Sequence, residues 1–402
     1  MIAHYSASLT QLIFFIAMTT IDTSHNFSAE FPLRPEIIYL NHAAVAPWPR
    51  RTADAVKRFA EENATQGARN YKQWLRIEQA LREQLRGLLN APHCDDIALL
   101  KNTSEGLSVV AYGLSWQAGD NIVISNEEFP SNRIVWDSLK DRGVELREAD
   151  LHGSTGPEQA LLDIMDDRTR LLAVSSVQYA SGIRLDLQHL GEVCRQRGIL
   201  FCIDAIQSLG VLPLDLQKIH VDFVTADGHK WMLGPEGVAV FYCRAPLREQ
   251  LRLNQYGWHM IEHAGDYDRS EWQPARSARR FECGSPNMLG IHALHASLSL
   301  LLEIGMENVS RLVMDNAAYL IERLGQIAGL ELVTPTQTNR YAGIVTFRHR
   351  EVETTALWRR LSERGVVCAQ RGGGIRLSPH FYNKKEELEH VVNLINEFII
   401  GN

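Results

Sequence analysis

The sequence predicts an α/β protein: a large, doubly wound, mostly parallel sheet domain followed by a smaller α+β domain at the C-terminus. Three observations carry this reading. Apolar runs of strand length, such as 121–125, 171–177 and 199–203, alternate with segments of helical spacing such as 187–198, the pattern of parallel strands joined by helical crossovers. The 402 residues exceed one typical core, so a second domain is expected. The stretch 221–242 reads as an apolar strand, a polar turn holding Lys230, and a Gly-Pro turn that feeds a second apolar strand.

Composition narrows the function. A chain that is 45% hydrophobic and 22% charged is globular, and a net charge of -7 argues against a phosphate-tracking nucleic-acid binder. Six scattered cysteines, with no Cys-x-x-Cys and no paired Cys/His spacing, predict free thiols in a reducing cytoplasm and no metal site. The apolar run Leu12–Met18 is too short to span a bilayer and lacks a preceding Lys or Arg, so no membrane association is expected. Residues 1–30 are read as an N-terminal extension in which Met18 is an alternative start, 31–290 as the large domain, and 291–402 as the small one.

The elements follow in order. Residues 37–40 form a short strand running into Asn41-His42-Ala43-Ala44, and 51–63 and 72–89 have apolar residues at helical spacing. After a strand at 96–100, Asn102-Thr103-Ser104-Glu105-Gly106 opens a helix. Its free N–H groups and hydroxyls suit an anion, although ordinary capping explains the same residues. Strand 121–125 leads to Phe129 and Asn132, then a helix through Ile134, Val135 and Leu139. Strand 171–177 ends at Gln178-Tyr179, expected to border a pocket. Helix 187–198 leads to a strand ending at Asp204. The small domain reads as helix 311–327, strand 343–348, helix 354–364, strands 366–369 and 374–377, and a final helix from Lys384.

In open parallel sheets ligands gather at the carboxyl ends of strands, where both Asp204 and Lys230 fall. A lysine flanked by His229, Trp231 and Met232 needs either solvent or a chemical partner, and a carbonyl cofactor is such a partner. Pyridoxal 5'-phosphate (PLP) enzymes use a lysine for the Schiff base and an acid at the ring nitrogen.

The Asp-Ala-x-Gln of 204–207 followed by Asp-Gly-His-Lys at 227–230 resembles the class V aminotransferase family of fold-type I PLP-dependent enzymes, from about Ile38 to the C-terminus. That group includes cysteine desulfurases, selenocysteine lyases, kynureninase and isopenicillin N epimerase. The resemblance implies roles residue by residue. Lys230 is the catalytic Schiff-base lysine, and Thr103, Ser104 and His229 hold the phosphate. Phe129 stacks on the ring, Asp204 meets its nitrogen and Gln207 its phenolic oxygen. Ser285, in Arg279–Asn287, reaches the phosphate of a second subunit, implying a homodimer with a shared active site. Arg376 binds the carboxylate of a small amino-acid substrate as a planar fork, with His42 and Asn132 as further substrate contacts. Asp227 stands where many members carry Ser, and its role is left open.

The reaction is narrower than the cofactor. Phe129 replaces the His of desulfurases and cannot transfer a proton. Cys368 precedes Arg376 by a run too short for the mobile loop that bears a desulfurase nucleophile. Transamination is the leading expectation. C–S lyase, cysteine desulfurase-like or isopenicillin N epimerase-like action is the alternative, and a non-catalytic binding protein a remote one.

Overall fold

The computed structural model describes residues 27–401. The strands are β1 (Ile38–Tyr39), β2 (Ile97–Leu100), β3 (Asn121–Ser125), β4 (Glu145–Ala149), β5 (Thr169–Ser175), β6 (Leu200–Asp204), β7 (Phe223–Asp227), β8 (Ala239–Cys243), β9 (Leu330–Leu332), β10 (Val345–His349), β11 (Val366–Val367), β12 (Ala369–Arg371) and β13 (Gly374–Leu377). The helices are α1 (Arg50–Gln66), α2 (Tyr71–Leu89), α3 (Thr103–Gly113), α4 (Ser131–Asp137), α5 (Pro157–Asp163), α6 (Leu187–Arg197), α7 (Ala245–Arg248), α8 (Met288–Ile304), α9 (Met306–Gly325), α10 (Thr354–Glu363) and α11 (Lys385–Ile400).

The main sheet has seven strands in the order β2-β8-β7-β6-β5-β3-β4. Every neighbouring pair is parallel except those of β8, which runs antiparallel to both β2 and β7. Helices cover both faces, which is why β2, β3, β7 and β8 are buried at every residue and read as largely apolar runs. Side chains of α2, α5, α6 and α8 fill one face; α3 and α4 close the other with Leu107, Val110, Val135 and Trp136. Strand β4 lies at the edge with polar, largely accessible residues, and so gives no apolar signal.

A second, four-stranded antiparallel sheet has the order β12-β13-β10-β9 and packs under α9, α10 and α11. Burying Leu388, Val391, Val392, Leu394 and Ile395 of α11 contributes roughly 1.5–3 kcal/mol per side chain before entropy is counted. The expected strand 366–369 is in fact two: β11 pairs in parallel with β1, while β12 joins the antiparallel sheet, and Cys368 is the break between them. A two-residue turn, Gly372 (φ 58°) and Gly373 (φ 72°), links β12 to β13; both positions need the left-handed region, which glycine adopts without strain. Among the described residues no single helix is long and apolar enough to cross a membrane. The run Leu12–Met18 and the alternative start lie outside the described residues.

Candidate active site

A cavity of about 250 Å³ opens where the carboxyl ends of β6 and β7 meet the start of α3, the turn before α4 and the β12–β13 hairpin. Thr103, Ser104, Phe129, Asp204, Gln207, His229, Lys230 and Arg376 all line it, so the fold gathers residues up to 273 positions apart.

Lys230 stands three residues past the end of β7 and is 8% exposed. Its Nζ lies 5.4 Å from the centre of the Phe129 ring and has no hydrogen-bond or ion-pair partner among the described residues. Burial pushes its pKa down; Arg376 and Arg371 act in the same direction, while Asp204 and Asp227 oppose. Asp204 closes β6, and one carboxylate oxygen accepts the Ile206 N–H at 3.0 Å. Burial pushes its pKa up, against that hydrogen bond and the Lys230 charge. Both shifts run towards the neutral forms, the perturbation expected of ionisable groups at a functional site.

The anion end is built by α3. Asn102 caps it by accepting the Glu105 N–H at 2.9 Å. Thr103 Oγ1 accepts the Asp227 N–H at 3.1 Å, which ties the helix start to β7. Gly106 permits this approach, because a Cβ there would sit 2.5 Å from Thr225 Oγ1. Nδ1 of His229 and Oδ1 of Asp227 are 3.1 Å apart, off the axis of a hydrogen bond, so Asp227 faces His229 at the cavity wall. Gln207 donates to the Ala43 carbonyl at 3.0 Å and accepts from Trp231 Nε1 at 2.9 Å, which leaves one amide hydrogen uncommitted.

On the opposite wall Arg376, 2% exposed on β13, donates Nη1 to the Tyr179 carbonyl at 2.7 Å and Nη2 to Asn41 at 3.4 Å. Its Nε is buried without a partner. Burial and then Arg371 push its pKa down to about 10. The Phe129 ring, 39% exposed, meets Tyr179 edge to face at 5.2 Å.

Three expected residues lie elsewhere. His42 is fully buried, with Nδ1 2.8 Å from the Ser378 carbonyl and Nε2 2.6 Å from the Tyr382 hydroxyl. Burial and then His380 hold its pKa well below the usual imidazole range, so it is a neutral packing residue, and Ala43 and Ala44 line the cavity in its place. Asn132 is also fully buried: it donates to Glu128 at 2.7 Å and accepts from Trp136 at 2.9 Å, and it is not part of the cavity lining. Ser285 is exposed in a separate cleft with Lys101 and Gly237 and does not reach this cavity from its own chain.

Three lining residues, Ser131, Ile206 and Arg371, escaped sequence reasoning. Ser131 hydrogen-bonds Ser104 at 2.9 Å, and Arg371 shares a face with Arg376 because Arg371 pairs with Gly374, two residues before it. The Gly-Gly turn was the available signal for the second arginine. None of the six cysteines lines the cavity, and burial pushes the Cys368 thiol up to about 12.

The family model described as Aminotransferase class-V matches residues 38–391. The "Probable cysteine desulfurase" of Methanothermobacter thermautotrophicus is 31% identical over 392 residues, covering 92% of this chain and 96% of the relative. The "Uncharacterized aminotransferase YcbU" of Bacillus subtilis is 32% identical, covering 81% and 85%. A solved variant of C-DES, with glycine covalently linked to its PLP cofactor, superposes with a TM-score of 0.85 at 22% identity, covering 92% of this chain and 99% of that one, a likeness of fold.

Proposed function

Because the chain belongs to the class V aminotransferase family, we propose that it is a PLP-dependent enzyme acting at the α carbon of an amino acid with a free carboxylate, with transamination as its reaction. The observation that carries this is Lys230, a buried amine in the cavity wall with no hydrogen-bond or ion-pair partner among the described residues. The residues fit the cofactor: an amine for its carbonyl, Asp204 for its ring nitrogen, Phe129 for a ring face, and Thr103, Ser104 and the start of α3 for its phosphate. When bound, PLP supplies an electron sink for the bond that breaks at the α carbon.

The protein's own groups do the rest. Lys230, whose pKa burial lowers, would hold the cofactor through its Nζ and would serve as the proton carrier at the substrate α carbon. Arg376 fixes the carboxylate with its unsatisfied guanidinium edge, and Arg371 adds positive charge on the same face. Phe129 adds a ring face and no proton.

Elimination at a C–S bond is the second reading. The desulfurase name of the M. thermautotrophicus relative and the cystine C-S lyase activity named for C-DES support it. With no cysteine in the cavity, such a reaction would release its sulfur to solution rather than to an enzyme thiol. We also propose a homodimer in which exposed Ser285 faces the partner's cavity, and residence in the cytoplasm, supported by six free cysteines.

The deciding experiment incubates the PLP-loaded protein with single L-amino acids and no keto-acid acceptor. One 2-oxo acid per site, and turnover only when an acceptor keto acid is added, is the expected result. Continuous release of pyruvate with ammonia or sulfide would replace transamination with elimination.

A further inference from the structure

A buried carboxylate one residue before the cavity-lining Phe129 takes no part in the chemistry above. Glu128, 6% exposed, lies between β3 and α4. Its Oε1 accepts from Ser125 Oγ at 2.9 Å, Ser175 N at 2.9 Å and Gln178 Nε2 at 3.1 Å. Its Oε2 accepts from Asn132 Nδ2 at 2.7 Å and Ser175 Oγ at 2.5 Å. The donors come from four places: the end of β3, the first turn of α4, the end of β5 and the turn beyond it. Every one is neutral, and among the described residues Glu128 forms no ion pair. A buried carboxylate without a countercharge is tolerated only when its oxygens are filled by donors, and such a filled network makes the surrounding geometry rigid.

The segments it joins carry the walls of the cavity. Phe129 follows Glu128 directly, and Tyr179 follows Gln178. The two rings meet at 5.2 Å and 83°, and the Tyr179 carbonyl accepts Nη1 of Arg376 at 2.7 Å. We propose that Glu128 is a positioning residue: it sets the two turns that present Phe129 and Tyr179 in register, and through the Tyr179 carbonyl it aims Arg376. The proposal rests on the cavity being a PLP and carboxylate site. The same charge also helps hold up the pKa of Asp204, whose strand neighbour Ser175 is bound to Glu128.

The test uses the PLP-loaded enzyme. Glu128→Gln keeps size but turns an NH₂ group toward existing N–H donors. At unchanged cofactor stoichiometry, the visible circular dichroism of bound PLP should fall. KM for the amino acid should rise about tenfold, with a smaller change in kcat, the scale of one lost buried hydrogen bond. Adding Asn132→Asp restores a donor–acceptor pair and should recover both signals in part. Should Glu128→Gln not fold, Gln178→Leu removes a single donor and should move both signals the same way, less far. A lower unfolding midpoint with wild-type dichroism and KM would reduce Glu128 to a structural residue and overturn the proposal alone. A wild-type protein that does not load PLP overturns the cofactor reading and this proposal with it.

Discussion

The chain buries charge in two places and treats it in opposite ways. At Arg82, on α2, the guanidinium donates to Glu282 at 2.6 and 2.7 Å and to Glu78 at 2.6 Å. Burial alone would lower its pKa, but Glu282 and then Glu78 raise it, so the charge is locked in. His259 and the two glutamates lie close enough together to hold a metal ion, but Arg82 already supplies the cation between them. At Lys230 and Arg376 burial is just as deep and no carboxylate is paired: among the described residues Lys230 has no hydrogen-bond or ion-pair partner, and Arg376, held by the Tyr179 carbonyl and Asn41, keeps a buried Nε unpaired. The first cluster joins α2, β2 and the 278–287 segment. The second is unfavourable until a ligand brings a carbonyl and a carboxylate. Completed charge is architecture; incomplete charge marks where a ligand belongs.

The sharpest way to break this contrast is to remove Lys230. Lys230→Ala should cost about a thousandfold or more in turnover, because both the nucleophile and the proton carrier are lost. Its folding stability, measured by denaturant unfolding before PLP is added, should not fall. Arg82→Met should do the reverse: two buried glutamates lose their cation, at a cost of about 3–5 kcal/mol in the same unfolding measurement. Arg376→Met should leave cofactor-free stability unchanged or higher, while KM for amino acids rises about a hundredfold, as for a charge-assisted bidentate contact.

The pH dependence of stability sharpens the same point. The folded pKa of Lys230 lies below the ordinary 10.5, so over the interval between them the unfolded chain binds more protons and stability rises with pH. Asp204, shifted up from 3.8, holds its proton in the folded state, and its contribution is lost as pH rises through the folded value. The cofactor-free protein should therefore gain stability as pH approaches 10.5, and that gain should vanish in Lys230→Met. The smallest effect is expected at Cys368→Ala: about 1 kcal/mol of stability from lost packing and unchanged turnover. Loss of activity there would restore a nucleophilic cysteine.

Much of the fold was legible because β3, β6 and β7 are buried on both faces and carry apolar cores, with polar residues mainly at their ends. Edge strand β4, half polar, and three-residue β9 left no such trace. Site residues at strand ends, Asp204 and Lys230, were readable from position. His42 and Asn132 were not, because their orientation depends on partners that spacing does not reveal: Ser378 and Tyr382 lie more than 330 residues from His42. Asn132 turns inward because Glu128, one helical turn before it, needs its N–H. Arg371 escaped notice because its face is set by a two-residue turn rather than by any motif of its own.

The most direct test of incomplete charge as the mark of function is to reduce the PLP-loaded protein with borohydride and map the modified peptide by mass spectrometry. A phosphopyridoxyl group on Lys230, in stoichiometric amount, is the expected result. Labelling spread over exposed lysines such as Lys101, with Lys230 unmodified, would contradict it.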